Sequence, residues 1–193
     1  MALTPEQEQQ AISLIRGFAM DAPLKAKSGH QGTAMALAPL GHVLFSRIMR
    51  HDPKNPLWPD RDRFILSCGH ASILLYSMLY LTGFGLELDD IRNFRQFGSK
   101  APGHPEYRLV SGVETTTGPL GQGIATSVGM AIAERWLADR YNRPGLEVFD
   151  YNVYAICGDG CLMEGVSAEA ASLAGHLGLD HLCWIYDNNH ITI

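Results

Sequence analysis

The segment Val153-Tyr-Ala-Ile-Cys-Gly-Asp-Gly160 decides the fold class. Its first five residues, Val153 to Cys157, form an apolar run typical of a strand buried on both faces. An alanine-rich helical stretch follows at about Val166 to Leu177 and ends before Gly178, and a second apolar run spans Leu182 to Tyr186. Strand, turn, helix and strand make a right-handed βαβ unit. We therefore predict an α/β fold, with a mostly parallel sheet flanked by helices.

Outward from this unit, the chain offers one more buried strand, Arg63 to Ser67, and several helices. The first helix has a clear start, because Thr4 can cap it, Pro5 suits its first position and Gln7 can complete a capping box. Its buried face runs up to Pro23, which we expect to interrupt it. Further helices are predicted at about 34–49, 71–81, 88–94 and 120–141.

Composition limits the classes of partner. The 193 residues are 46% hydrophobic, enough for one domain with a sizeable core. The net charge of −5 leaves no basic stripe, so no nucleic-acid partner is expected. No apolar stretch approaches the roughly 20 residues of a membrane span and no leader is visible, so we expect a cytoplasmic protein with reduced cysteines and no membrane contact.

The run Ile191-Thr192-Ile193 is an unusual domain end, which suggests a truncated or split protein.

Two polar turns are predicted to meet at one sheet edge. The third glycine of a dinucleotide fingerprint is replaced by Met163, so that site is excluded. Asp159 would repel a diphosphate unless a cation stood between them, and Asn189 follows the next strand. A carboxylate, an amide oxygen and a main-chain carbonyl suit Mg²⁺ or Ca²⁺. Alone, each turn is more typical of a tight turn or a polar loop, but together they favour a metal-diphosphate site.

At these residues the sequence resembles a known family. A similarity to the thiamine diphosphate motif is carried by Gly158-Asp-Gly followed by Asn188-Asn189. A resemblance to transketolases is carried by the longer segment Gly158-Asp-Gly-Cys-Leu-Met-Glu-Gly-Val-Ser167. The resemblance covers about Arg16 to Ile193. Other matching motifs are Lys27-Ser-Gly-His30, Asp60-Arg-Asp-Arg-Phe64, Phe94-Arg-Gln-Phe97, Pro102-Gly-His-Pro-Glu106 and Gly112-Val-Glu-Thr-Thr-Thr-Gly-Pro-Leu-Gly-Gln-Gly-Ile124.

The resemblance implies roles for particular residues. The metal would be bound by Asp159, Asn189 and the carbonyl of Ile191, and the diphosphate would lie against two glycines. The aminopyrimidine end of the cofactor would meet backbone of the loop before the long helix. Glu164 matches a glutamate at a subunit interface that links two active sites. The cofactor contacts implied in this way are Gly118, Leu120, Gly158, Gly160 and His70.

Three histidines match catalytic positions in the family: His30, His70 and His104. Each follows a glycine, and an imidazole can donate, accept and change protonation near neutral pH. The resemblance implies that His30 and His104 bind hydroxyls of the donor sugar and that His70 acts near the diphosphate and the substrate. Any one of them alone is more often a packed structural histidine, and the other five keep that interpretation: His42, His51, His176, His181 and His190.

The implied function is transfer of a two-carbon ketol unit from a ketose phosphate to an aldose phosphate with thiamine diphosphate and Mg²⁺ or Ca²⁺. Residues 1–193 would be the diphosphate-binding domain, cut before the pyrimidine-binding domain, inactive alone and part of a homodimer when complete. Alternatives are dihydroxyacetone synthase, deoxyxylulose phosphate synthase or a non-catalytic remnant that binds cofactor or a partner. The sequence departs from the family pattern beside the histidines, at Gln31, Cys68 and Ala71.

Overall fold

A three-stranded parallel sheet forms the centre of the computed structural model, which describes residues 3–192. Its strands are β1 (Arg63–Leu66), β2 (Val153–Gly158) and β3 (Leu182–Asp187), in the order β1-β2-β3. The predicted α/β fold with a parallel sheet is therefore confirmed. Met1, Ala2 and Ile193, which the predicted domain 1–193 includes, lie outside the described residues.

The first helix, α1 (Pro5–Ala26), begins as its sequence predicts. The Thr4 side chain accepts from the Gln7 N–H and the Gln7 side chain accepts from the Thr4 N–H, which is a complete capping box. The prediction that Pro23 interrupts this helix is wrong, because the helix continues to Ala26. Pro23 lies in the last turn, where its missing N–H removes a single hydrogen bond.

The other helices differ from prediction mainly at their ends. The expected helix over residues 34–49 is divided at Leu37, two residues before Pro39, and finishes as a π-helical turn over Leu44–Ile48. A short helix directly after Gly158 was not predicted. In chain order the remaining elements are α2 (Gly32–Ala36), α3 (Ala38–Val43), a 3₁₀ turn (Gly69–Ala71), α4 (Ser72–Thr82), α5 (Leu88–Arg92), α6 (Gln122–Tyr141), α7 (Asp159–Met163) and α8 (Gly165–Leu177).

The core surrounds β1 and β2. Helix α4 is buried from Ser72 to Leu79 and packs against α1, while α6 lies against the sheet and α8. Gly123 permits the close approach of α6 to the sheet, since a Cβ there would lie 2.5 Å from the Cα of Ser67. None of the helices within residues 3–192 is long and apolar enough to cross a lipid bilayer. The cytoplasmic location stays a prediction.

The amino ends of β1 and β2 are held together by one buried carboxylate. Asp62, 2% exposed, accepts backbone N–H hydrogen bonds of 2.7 Å from both Arg50 and Asn152. The carboxyl ends of the parallel strands lie together at the opposite edge of the sheet, and ligands of open α/β sheets bind at that edge. The loops after β1, β2 and β3 therefore meet where the sequence places its polar turns.

Candidate functional site

A cavity of about 430 Å³ lies at the carboxyl edge of the sheet. This volume is in the usual range for a cofactor or small-molecule site. Its walls come from the start of α2, the loops that follow all three strands, and the loop before α6. Nine of the predicted site residues line it: His30, His70, His104, Gly118, Leu120, Gly158, Gly160, Asn189 and Ile191.

The cavity also includes residues that were not predicted to be site residues. All but Thr33 and Ala36 lie within two residues of a predicted site residue in the chain, so their sequence position was the available signal. Asp187 stands apart because it ends β3 and brings a carboxylate to the wall. The additional lining residues are Gln31, Gly32, Thr33, Ala36, Cys68, Cys161, Asp187 and Thr192.

A second depression, of about 480 Å³, lies between α8 and β3. It is lined mostly by alanine, glycine, leucine and Trp184, with Asp180 as its charged residue. The carboxyl-edge cavity, in contrast, gathers histidine, amide and carboxylate groups, which makes it the better candidate for chemistry.

The three predicted histidines converge in the cavity. The rings of His30 and His70 lie 4.9 Å apart between centroids. Nδ1 of His30 is buried and has no hydrogen-bond partner among residues 3–192, so its hydrogen-bonding capacity is unused. Burial lowers the pKa of all three imidazoles, and the positive charge of Arg95 lowers each pKa further. At neutral pH these imidazoles are uncharged and can each donate and accept a hydrogen bond.

His104 is placed by the backbone of the loop before α6. A Cβ on Gly118, which has φ +152°, would lie 3.3 Å from the His104 ring, so the ring rests directly on this glycine. Gly69 also packs closely against this loop, since a Cβ there would lie 2.7 Å from the Gly118 nitrogen. Thr117 secures the arrangement by donating to the carbonyl of Leu66 at the end of β1.

Gly160 forms a tight backbone corner in the cavity wall. A Cβ there would lie 2.5 Å from Oγ1 of Thr192 and 2.7 Å from Cδ1 of Leu120, and both of these residues also line the cavity. Only glycine fits at this position, because the Thr192 and Leu120 side chains occupy the space that a Cβ would need. A Cβ on Gly158 would meet only the Asp187 carbonyl, at 3.9 Å, among the described residues, and the role of both glycines beside a diphosphate stays a prediction.

Asp159 lies beside the Asn189 loop, as the βαβ unit predicts. Its carboxylate accepts from the N–H groups of Asn189 (3.0 Å) and His190 (2.9 Å) and from the Tyr186 hydroxyl. The Tyr186 hydrogen bond, reinforced by those of His190 and Asn189, holds the pKa of Asp159 below its usual value. Asp159 is therefore a carboxylate at neutral pH, adjacent to the cavity rather than in its lining.

The predicted metal ligands are neighbours, and their donor chemistry fits a hard cation. In this structure Oδ1 of Asn189 accepts from the N–H of Ile191 (2.9 Å), and its Nδ2 donates to Asp187 (2.8 Å). The same carboxylate and amide oxygens that would bind a metal thus satisfy N–H groups of the loop. Across residues 3–192 no group of three or more His, Cys, Asp and Glu side chains could hold a metal.

Glu164 lies apart from these groups. It is exposed, separates α7 from α8 and does not line the cavity. Its position on the surface is compatible with contact to another polypeptide, and its predicted interface role stays a prediction.

Comparison with known proteins identifies the family. Residues 7–193 match the family described as transketolase, thiamine diphosphate binding domain. The chain is 58% identical over 186 residues to a transketolase of Geobacillus stearothermophilus, covering 96% of this chain and 28% of the relative. It is 55% identical over 185 residues to transketolase-1, chloroplastic, of Arabidopsis thaliana, covering 95% and 25%.

Solved structures agree with this result. The fold matches transketolase from Leishmania mexicana with a TM-score of 0.94 and 50% identity, covering 100% of this chain and 28% of that one. It matches a Pichia stipitis transketolase in complex with sedoheptulose-7-phosphate with a TM-score of 0.93 and 54% identity, covering 96% and 27%. The chain thus spans a little over a quarter of the length of such relatives. It belongs to the transketolase family and corresponds to its thiamine diphosphate binding domain.

Proposed function

We propose that this chain supplies the diphosphate-binding and donor-binding parts of a transketolase, which moves a two-carbon ketol unit from a ketose phosphate to an aldose phosphate. Residues 1–193 would form the diphosphate-binding domain of a longer or assembled enzyme. The pyrimidine-binding domain or a companion subunit would complete it, and the complete enzyme would be a homodimer.

One observation carries the proposal: a single cavity brings three uncharged histidines together with the glycine corner of α7 and the Asn189 loop. These groups come from segments far apart in the chain, so their convergence is a property of the fold. Related crystal structures support the substrate class, because Pichia stipitis transketolases are described in complex with sedoheptulose-7-phosphate and xylulose-5-phosphate.

The diphosphate end of the cofactor would be held by Gly158, Gly160 and a Mg²⁺ or Ca²⁺ ion on Asp159, Asn189 and the Ile191 carbonyl. Among the described residues, Oδ1 of Asp159 and Oδ1 of Asn189 each accept a single hydrogen bond, so each keeps a lone pair that a metal ion could use. The open space beside Gly158 and the ionised state of Asp159 support this assignment. Gly118 and Leu120 would contact the aminopyrimidine end.

When bound, thiamine diphosphate supplies the nucleophilic carbon and the electron sink that carbon–carbon bond transfer requires. The residues of this chain would bind and orient the sugar. His30 would present its ring at the cavity wall to a substrate hydroxyl, and His104 would present a ring fixed against Gly118. His70, the most buried of the three, would lie near both the diphosphate and the substrate and could form a hydrogen bond there. As uncharged imidazoles they can pass a proton in either direction.

Calorimetry of the 193-residue chain tests the proposal directly. Thiamine diphosphate should bind with Mg²⁺ or Ca²⁺ and not with EDTA, and Asp159→Asn should abolish this binding. Cofactor at about 100 times its dissociation constant should stabilise folding by roughly 2.7 kcal/mol. The matched control is Asp139→Asn, an exposed position on α6, which should bind like the unaltered chain.

Equal binding with metal and with EDTA would refute the metal assignment. Absence of binding under every condition would refute the proposal that this chain holds the diphosphate. Metal-dependent binding with no ketol transfer, even after a pyrimidine-binding domain is supplied, would favour the non-catalytic alternative.

A further inference from the structure

Arg95 lies close to the three histidines but does not line the cavity. It follows α5 in a left-handed conformation with φ 60°, which is unusual for a residue with a side chain. Its N–H donates to the carbonyl of Ala101 (2.9 Å). The backbone thus fixes where the side chain begins, and strain at this position indicates that the surroundings require it there.

The Arg95 side chain joins two histidine loops. Nη1 donates to Oγ of Ser28 (2.8 Å), two residues before His30, and Nη2 donates to the carbonyl of Gly103 (3.4 Å), directly before His104. We call this pair of contacts the arginine bridge. A Cβ on Gly103 would lie 2.9 Å from Nε of Arg95, so the guanidinium lies flat against this glycine.

The third histidine is tied to the same point. The carbonyl of Gly103 also accepts from Oγ of Ser72 (2.9 Å), which begins α4 two residues after His70. The neighbouring Phe94 supports the first loop, since a Cβ on Gly29 would lie 3.3 Å from its ring. Loops that arrive from three parts of the chain are therefore fixed to one another through Gly103 and Arg95.

The guanidinium also places a positive charge beside the cavity. Its Nε is buried and has no hydrogen-bond partner among the described residues. Within residues 3–192, no carboxylate lies within ion-pair distance of Arg95. The charged and titratable groups acting on the histidines are Arg95, the histidines themselves and, at His70, Asp187. The charge of Arg95 therefore adds to burial in lowering the pKa of His30 and His104.

We propose that Arg95 is a positioning residue: its bridge sets the separation of His30 from His104 across the cavity, and its guanidinium holds an unneutralised positive charge beside both imidazoles. The consequence for catalysis rests on the proposed function, in which these histidines bind the donor sugar. A lysine could keep the charge but not the bridge, because an ammonium lacks the planar fork of a guanidinium.

The experiment uses NMR on the 193-residue chain and three variants. Arg95→Met removes bridge and charge, Arg95→Lys removes only the bridge, and Arg92→Met is the matched control. Arg92 lies on the same turn, but its side chain makes only an exposed ion pair with Asp89. Amide hydrogen exchange reports on the loops over residues 28–30 and 103–104, and imidazole titration reports on His30 and His104.

Arg95→Met should speed exchange in both loops about tenfold or more, since each would open locally, and should raise the pKa of His30 and His104. Arg95→Lys should speed exchange equally but leave both pKa values low. Arg92→Met should match the unaltered chain. If Arg95→Met changes neither exchange nor pKa relative to Arg92→Met, the inference is overturned.

Ser28→Ala provides a milder test if Arg95→Met fails to fold. It removes one end of the bridge, so faster exchange should be confined to residues 28–30, and unchanged exchange there would overturn the inference. Thiamine diphosphate titration of the same samples separates the two proposals. Expected loop behaviour without cofactor binding would refute the proposed function and leave the role of Arg95 intact.

Discussion

Nη2 of Arg61 donates a 2.8 Å hydrogen bond to Oε2 of Glu114, and the two side chains are only 15% and 9% exposed. Nε of Arg63 lies 3.9 Å from the same oxygen. Burial raises the pKa of Glu114, against the opposing charges of the two arginines. Since Glu114 precedes Gly118 by four residues, this ion pair fastens the cavity loop to the start of β1.

Replacing one partner of this pair should be costly. Glu114→Gln leaves two largely buried guanidinium groups without a carboxylate, and we expect a loss of about 3 kcal/mol in the free energy of unfolding. Urea denaturation measures it. Asp89→Asn, which breaks an exposed pair with Arg92, should change stability by less than about 0.5 kcal/mol. An effect of Glu114→Gln as small as that of Asp89→Asn would contradict the structural role given to the pair.

Gly160 should tolerate no side chain. Gly160→Ala places a methyl group 2.5 Å from Thr192 and 2.7 Å from Leu120, so it should destabilise the fold by about 1–3 kcal/mol and weaken thiamine diphosphate binding. Gly175→Ala is the matched control: this glycine lies inside α8 with nothing near its Cβ position, and alanine should stabilise it by about 0.5–1 kcal/mol. Thermal unfolding and calorimetry together decide the result, and unaltered cofactor affinity in Gly160→Ala would count against the proposed diphosphate position.

The histidines predict a direction for the pH dependence of stability. Burial and neighbouring positive charges lower the folded-state pKa of His70 below 6.5. In the window between the folded and unfolded pKa values, the unfolded chain binds more protons, so acidification destabilises the fold. His70→Asn should therefore lose less stability than the unaltered chain between about pH 7 and pH 5. Urea titrations at several pH values measure this, with exposed His176→Asn as control; identical slopes for all three proteins would contradict the prediction.

His104 should matter for the donor sugar more than for the cofactor. In a complete enzyme that carries this segment, His104→Asn should lower kcat/KM for the donor ketose on the order of 10²-fold, as expected for loss of a catalytic hydrogen bond. Thiamine diphosphate affinity should change little. Steady-state kinetics and calorimetry separate the two effects, and an unchanged kcat/KM would return His104 to a structural role.

The sequence by itself determined the features that depend on neighbours in the chain. Thr4 and Gln7 cap α1 because they are three residues apart, and Gly178 ends α8 because its φ of 60° suits a glycine. The apolar runs located all three strands to within one residue at each end. Their parallel arrangement then placed Asp159 and Asn189 at a common edge, so most of the cavity could be predicted.

Only the tertiary structure decided contacts between distant segments. Arg95 and Ser28 are 67 residues apart, and Arg61 and Glu114 are 53 apart. No local pattern encodes such pairs, because they form only when packing of the core has brought their loops together and offset the entropy of closing them. For the same reason the sequence identified the histidines of the site, whereas only the structure revealed that Arg95 connects their loops.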